Sequence, residues 1–222
     1  YQRAKKSFKA ERVEYIPGVG LDTKKFTNVT IDKSAKRKEL GLPEDALVLL
    51  SVGELNKNKN HEIVIKALVQ LNNSKIHYVI CGQGPLENYL KYLIKEVGLE
   101  KQVHLLGFRR DIAEICKASD MFAFPSRREG LGLAALEAMA SGLPLITSNV
   151  HGILDYSADG VTGFNCSPNN SEGFAKAINR LILNPELRRV MGQHNLEAVK
   201  RFDIDNISKD MARIYQTVRS RR

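Results

Sequence analysis

Apolar residues in this chain gather into short runs closed by glycine, proline or polar turns. The clearest are residues 46–52, 76–81, 103–106, 121–124 and 144–147, and a sixth, mixed run covers 160–165. Unbroken rather than alternating hydrophobicity is the mark of strands buried on both faces of a parallel sheet. Helical periodicity fills the intervals. In residues 61–71, Ile63, Val64, Ala67, Leu68 and Leu71 share one face, and further helices are expected at 86–97, 112–118, 131–140, 172–183, 185–202 and 204–218, with a short one from His151. Pro185 suits a first helical position, where its missing N–H costs nothing. Strands alternating with helices predict an α/β fold with a doubly wound parallel sheet. Before it lie a basic, helical-looking start, a short strand at 13–16 and the turn Pro17-Gly18-Val19-Gly20.

The stretch 120–149 organises the rest. Its helix, 131–140, is apolar on every face except at Glu137, so a carboxylate is expected among hydrophobic neighbours and requires donors there. Glu129 lies eight residues earlier, in a loop where Gly130 and Gly132 let the backbone approach a ligand and the following helix start offers unpaired N–H groups. Spacing alone is weak evidence, since Glu54 and Glu62 show it too. The setting distinguishes Glu129 and Glu137: a Pro125-Ser126 loop after a buried strand, two glycines, then an apolar helix. The plain alternative is a solvated Glu129 and a Glu137 paired with a basic side chain.

This run resembles the E-x7-E signature of the family 4 retaining glycosyltransferases, which have the two-domain GT-B fold. The likeness extends to Pro125-Ser126, Glu129-Gly130-Leu131-Gly132-Leu133, Leu136-Glu137-Ala138-Met139-Ala140 and Gly142-Leu143-Pro144. It implies that Glu129, with the N–H groups of Gly130, Leu131, Gly132 and Leu133, holds the sugar of a nucleotide donor, and that Glu137 holds the ribose. In the family, the loop after the first strand carries an Arg and a Lys for the donor diphosphate. Here Gly53 opens that loop and Lys59 falls on the Lys position. Glu54 occupies the Arg position, a departure that leaves Lys57 as the second cation; solvated lysines are the plain reading. Gly82, in the turn after the second strand, is a candidate pocket floor, though a lone Gly-x-Gly is weak evidence. Phe108 and Arg109 are the candidates on the base side, with core packing as the alternative for Phe108. His151 and Asp155 depart from the family pattern and receive no role.

Segment 16–26 resembles the family's exit from an N-terminal domain, which divides the chain into residues 1–26 as a remnant of that domain and hinge, 27–202 as the nucleotide-sugar-binding domain, and 203–222 as a crossover helix. A first residue other than Met fits a piece of a longer chain. The likeness implies the donor-binding half of a retaining glycosyltransferase of the bacterial surface-polysaccharide or capsule type. Its donor would be a nucleotide diphosphate sugar, most simply a UDP-sugar, and its acceptor a glycan or a lipid-linked glycan. Glu129 and Lys59 would serve the reaction, and this chain alone would bind donor without transferring sugar. The alternatives are a GT-B nucleotide-sugar epimerase and a non-catalytic nucleotide-sugar-binding module.

Composition adjusts this picture in three places. The net charge of +9, with basic residues dense at both ends, suits nucleic acid, an anionic membrane or a phosphate-bearing ligand. The absence of Trp, and of aromatic residues interleaved with the basic ones, argues against nucleic acid. Cys81, Cys116 and Cys166 sit in or beside apolar segments and are expected to be buried free thiols of a reducing compartment. His61, His77, His104, His151 and His194 have no zinc-site spacing, and neither a metal nor another cofactor is expected. No run is long enough to span a bilayer, and residues 1–12 lack the apolar core of a signal peptide. The family likeness implies a cytoplasmic protein, reaching the inner face of the membrane if its acceptor is lipid-linked.

Overall fold

The computed structural model describes residues 2–9 and 13–219. In chain order the elements are α1 (Gln2–Ser7), α2 (Lys24–Thr27), α3 (Lys33–Glu39), β1 (Leu47–Val52), α4 (His61–Leu71), β2 (Ile76–Cys81), α5 (Glu87–Glu96), β3 (Val103–Leu105), α6 (Ile112–Ala118), β4 (Met121–Phe124), α7 (Leu133–Ala140), β5 (Leu145–Ser148), β6 (Gly163–Cys166), α8 (Ser171–Leu183), α9 (Pro185–Ala198) and α10 (Ile204–Arg219). Two 3-10 turns, His151–Asp155 and Val199–Phe202, complete them. The six strands form one sheet in the order β3-β2-β1-β4-β5-β6, with every pairing parallel. The doubly wound α/β expectation holds.

Each face of the sheet carries its own apolar layer, because successive strand residues point to opposite sides. Leu49, Tyr78 and Ile80 join Val64, Leu68, Leu90 and Ile178 on one face. Val48, Leu50, Val79 and Phe122 join Ile115, Leu136 and Met139 on the other. A buried guanidinium fastens the second layer to the sheet. Arg37 donates through Nε to the Ala118 carbonyl at 3.0 Å, through Nη1 to Ala46 at 2.9 Å and through Nη2 to Asp120 at 2.6 Å. Asp120 also accepts the Val48 N–H at 2.8 Å, so one ion pair joins α3 to the starts of β1 and β4.

Several expected boundaries change. The strand expected at 13–16 is irregular backbone, because no strand of the sheet lies beside it to complete its hydrogen bonds. Helix α7 starts at Leu133, two residues later than expected, because Gly132 takes a left-handed φ of 79° at its N-cap. The last strand is displaced to Gly163–Cys166, since residues 158–162 close a turn with Thr162 N–H donating to Ala158 at 3.0 Å. The helix expected at 185–202 ends at Ala198 and tightens into the second 3-10 turn. All three cysteines are buried and free. Burial pushes each of their thiols up to about 12, which keeps them unreactive.

Candidate active site

In the strand order, the direction of winding reverses between β1 and β4, and in open α/β sheets the crevice at the carboxyl ends of such a pair is where ligands bind. The loops after β1 and β4 meet there. Asn58 accepts the Arg127 N–H at 2.8 Å on its carbonyl and donates through Nδ2 to the Arg128 carbonyl at 2.9 Å. Asn60 donates through Nδ2 to Pro125 at 3.1 Å and Pro168 at 2.8 Å. Asn60 has a φ of 57°, left-handed backbone that Asn tolerates better than most side chains. Neither Asn was singled out from the sequence, where an Asn-Lys-Asn-Lys-Asn loop reads only as polar.

The stitching brings Lys59 and Glu129 together across the switch point. Lys59 Nζ lies 2.6 Å from Glu129 Oε2, with both side chains largely withdrawn from solvent. The same ammonium sits 5.0 Å from the centroid of the Phe124 ring, at the end of β4. Beyond Glu129 the chain passes Gly130 and Leu131 to Gly132, and the first backbone bond of the next turn is Ala135 N–H to Gly132 at 3.0 Å. Leu131 is half-buried under the 17–20 turn: a Cβ built on Gly18 would fall 2.5 Å from its side chain. Leu133 is exposed.

Glu137 is half-buried on α7, and no side chain among the described residues donates to its carboxylate. Burial raises its pKa. The expected donors are therefore missing among the described residues, and the carboxylate is a free acceptor on an otherwise apolar helix.

The remaining expected residues separate into two places. Gly53, Gly82, Phe108 and Arg109 line one cavity of about 390 Å³, together with Val52, Glu54, Cys81, Gln83 and Ile112. Phe108 is 67% exposed at its rim, which rules out core packing. The Arg109 guanidinium is committed elsewhere. It donates from Nε to Asp111 at 2.8 Å, and from Nη2 to Asp111 at 2.6 Å and Glu39 at 2.8 Å. Lys36 joins this cluster at 2.6 Å from Asp111, 2.7 Å from Glu114 and 2.9 Å from Glu39. The Arg109 and Lys36 cations hold the Asp111 carboxyl well below the usual range. Arg109 thus offers the cavity its stem and backbone while Asp111, with Glu39 of α3, holds its charge. Lys57 falls in a different cavity, of about 370 Å³, with Asn60, His61, Glu62 and Arg127. Glu54 accepts the Asn56 amide at 2.7 Å and brings a negative charge to the wall of the first cavity.

His61 is a further residue that the sequence did not reveal, because a histidine at a helix start carries no signal of burial. Its Nδ1 lies 3.3 Å from the Tyr78 hydroxyl, which donates to Ser51 at 2.8 Å; Ser51 in turn donates to the Ala123 carbonyl at 2.6 Å. Burial, with a contribution from Lys59, pushes the imidazole down to about 4. Among the described residues no cluster of three or more His, Cys, Asp or Glu could hold a metal ion, and no helix is long and apolar enough to cross a membrane.

The sequence profile described as glycosyl transferases group 1 matches residues 32–197, which takes in all six strands and every site residue above. The chain belongs to this family of glycosyltransferases. Its fold is that of a GT-B glycosyltransferase C-terminal domain. Among relatives, it is 33% identical over 207 residues to EpsD of Bacillus subtilis, covering 92% of this chain and 54% of that protein. It is 36% identical over 175 residues to the UDP-Gal:alpha-D-GlcNAc-diphosphoundecaprenol alpha-1,3-galactosyltransferase of Escherichia coli, covering 77% of this chain and 45% of that one. Among solved structures, Anabaena HepE in complex with UDP and glucose superposes with a TM-score of 0.83 at 28% identity, over 89% of this chain and 55% of HepE. This glycosyltransferase chain spans about half the length of the curated relatives it matches.

Proposed function

We propose that this chain is the donor-binding half of a retaining glycosyltransferase that moves a sugar from a UDP-sugar to a glycan or lipid-linked acceptor. The observation that carries the reading is the Lys59–Glu129 pair at the switch point between β1 and β4, with the Phe108-rimmed cavity beside it. HepE, a structural neighbour above 25% identity, was solved with UDP and glucose, and the name of the Escherichia coli relative specifies a UDP-sugar donor and a lipid-diphosphate acceptor.

On this reading the base lies in the cavity of Gly53, Gly82, Phe108 and Arg109, and the ribose hydroxyls donate to Glu137, the acceptor left free on α7. The diphosphate competes with Glu129 for the Lys59 ammonium. Once Lys59 sits on phosphate oxygens it stabilises the charge that develops as the nucleotide leaves, and Glu129 with the backbone of Gly130 to Leu133 is free to hold the sugar. The helix start of α7 adds a positive partial charge. These groups make the diphosphate site without a metal ion. Lys57 faces its own cavity and serves the donor only through the general positive field of the loop.

The transferring enzyme on this reading contains a second domain that supplies the acceptor site, with residues 1–26 leading from it and 203–222 returning towards it. The full protein works in the cytoplasm, at the inner membrane face where its acceptor is lipid-linked. Calorimetric titration of the 222-residue chain with UDP and UDP-glucose, with and without a chelator, tests the reading. Binding that survives the chelator and is lost in Lys59→Met supports it; no binding of either nucleotide, or full affinity in Lys59→Met, defeats it.

A further inference from the structure

Tyr156 is a buried polar side chain that donor binding, as described above, leaves unused. It is 4% exposed, and its ring meets Phe202 edge-on with centroids 6.1 Å apart. Phenylalanine would suit these apolar surroundings. The hydroxyl nevertheless is present, and it finds no hydrogen-bond partner among the described residues. A buried hydroxyl left unpaired destabilises the fold, so its retention calls for a partner that arrives under some other condition.

Its position names the partner. A Cβ built on Gly132 would fall 2.9 Å from the Tyr156 hydroxyl, so the hydroxyl lies directly against the end of the 129–132 loop. The turn leading to Tyr156 is pressed on the start of the same loop: a Cβ on Gly152 would come 1.6 Å from the Gly130 carbonyl oxygen and 2.7 Å from that of Glu129. The 151–156 segment is therefore the underside of the loop that carries Glu129. Burial chiefly, and the Glu129 charge next, raise the hydroxyl's pKa, so it remains a proton donor at any physiological pH.

Resting on the donor reading above, we propose that Tyr156 is a positioning residue. Its hydroxyl donates to the Glu129 carboxylate when Lys59 leaves that carboxylate for the diphosphate. Before donor binds, Lys59 meets the needs of Glu129. A diphosphate draws the ammonium away and leaves a carboxylate with little access to solvent. The exchange moves no proton and changes no covalent bond: an ammonium passes from carboxylate to phosphate, and a neutral O–H takes its place. With UDP alone, water can enter the vacant sugar space and solvate Glu129. With a sugar nucleotide it cannot, so the hydroxyl matters chiefly for the intact donor.

Two measurements test this. In titration calorimetry, Tyr156→Phe keeps UDP affinity within twofold and weakens UDP-glucose at least fivefold. Equal effects on both ligands, or none on either, overturn the role. In thermal melts without ligand, Tyr156→Phe leaves Tm unchanged or raised in the natural chain but lowers it in the Lys59→Met background, where Glu129 has only the hydroxyl to turn to. The same Tm change in both backgrounds also overturns it. If the natural chain binds neither nucleotide, the donor reading falls while the melting cycle still decides whether Tyr156 supports Glu129.

Discussion

Lys59 and Glu129, seventy residues apart in sequence, are joined at 2.6 Å by two loops that the side chains of Asn58 and Asn60 sew together. On the proposed reading the pair is poised rather than purely structural, each partner being what one end of a sugar nucleotide would need. Lys59→Met is expected to weaken UDP and UDP-glucose alike by at least tenfold, whereas Glu129→Gln is expected to spare UDP and weaken UDP-glucose. Calorimetry on both variants checks the split. Equal losses of both ligands in Glu129→Gln would show that the carboxylate does not face the sugar.

Glu137 carries a stability cost that the proposed ribose contact would explain. A half-buried carboxylate with no donor destabilises the empty protein, so Glu137→Gln should raise its Tm by about 2–4 °C, equivalent to roughly 1 kcal/mol in a chain of this size. The same change is expected to weaken UDP about tenfold. Because the folded-state pKa is raised, the natural chain regains stability as pH falls through it, and Glu137→Gln removes that gain. Melting curves across pH 4 to 7 check the sign; a Tm that drops in Glu137→Gln at neutral pH would mean the carboxylate has a partner.

His61 makes the opposite prediction. Its folded pKa of about 4 lies below the ordinary 6.5, so its contribution is fully present above pH 6.5 and is lost as pH falls towards 4. The total is at most about 3 kcal/mol. His61→Gln should lower stability at neutral pH and flatten the slope between pH 6.5 and 4. Denaturant titrations at both pH values measure it, and an unchanged slope would mean that His61 ionises freely in the folded protein.

Arg37→Ala is expected to cost about 2–4 kcal/mol, because three carbonyls lose their donor and Asp120 keeps only the half-exposed Lys33 ammonium and the Val48 N–H. Urea unfolding reads this directly. A cost below about 1 kcal/mol would show that the ion pair is solvated in the folded protein.

What the sequence disclosed follows from physics that is local. Unbroken apolar runs such as Leu47 to Val52 announced the buried strands, and the Gly-rich turn before a nearly all-apolar helix marked the loop that the structure brings against Lys59. The signals that failed depend on distant partners. Residues 13–16 have strand composition, but a strand exists only where another pairs with it. Helix α3 escaped notice because Lys36 and Arg37 are charged, and only the carboxylates and carbonyls around them reveal that they are buried. Arg109 looked available to a ligand until Asp111 and Glu39 were seen to occupy it. Tyr156 and the two stitching asparagines gave no signal, since a hydroxyl or an amide shows its purpose only once the opposing loop is in place.

The junction of the chain's two flanking segments has a mechanical meaning. Leu21 donates its N–H to Phe202 at 2.8 Å and accepts that of Ile204 at 2.9 Å, while Thr23 donates to Asp203 and Lys24 pairs with Asp205. Entry and exit therefore pass through one clasp, which makes residues 21–203 close to a topological circle. Tension between the flanking segments loads the clasp before it reaches the sheet, and the 17–20 turn packed on Leu131 is the point where the entering arm touches the loop that carries Glu129. New ends cut into an exposed turn such as that around Gly98, with 21 and 203 joined by a short linker, should preserve the pocket.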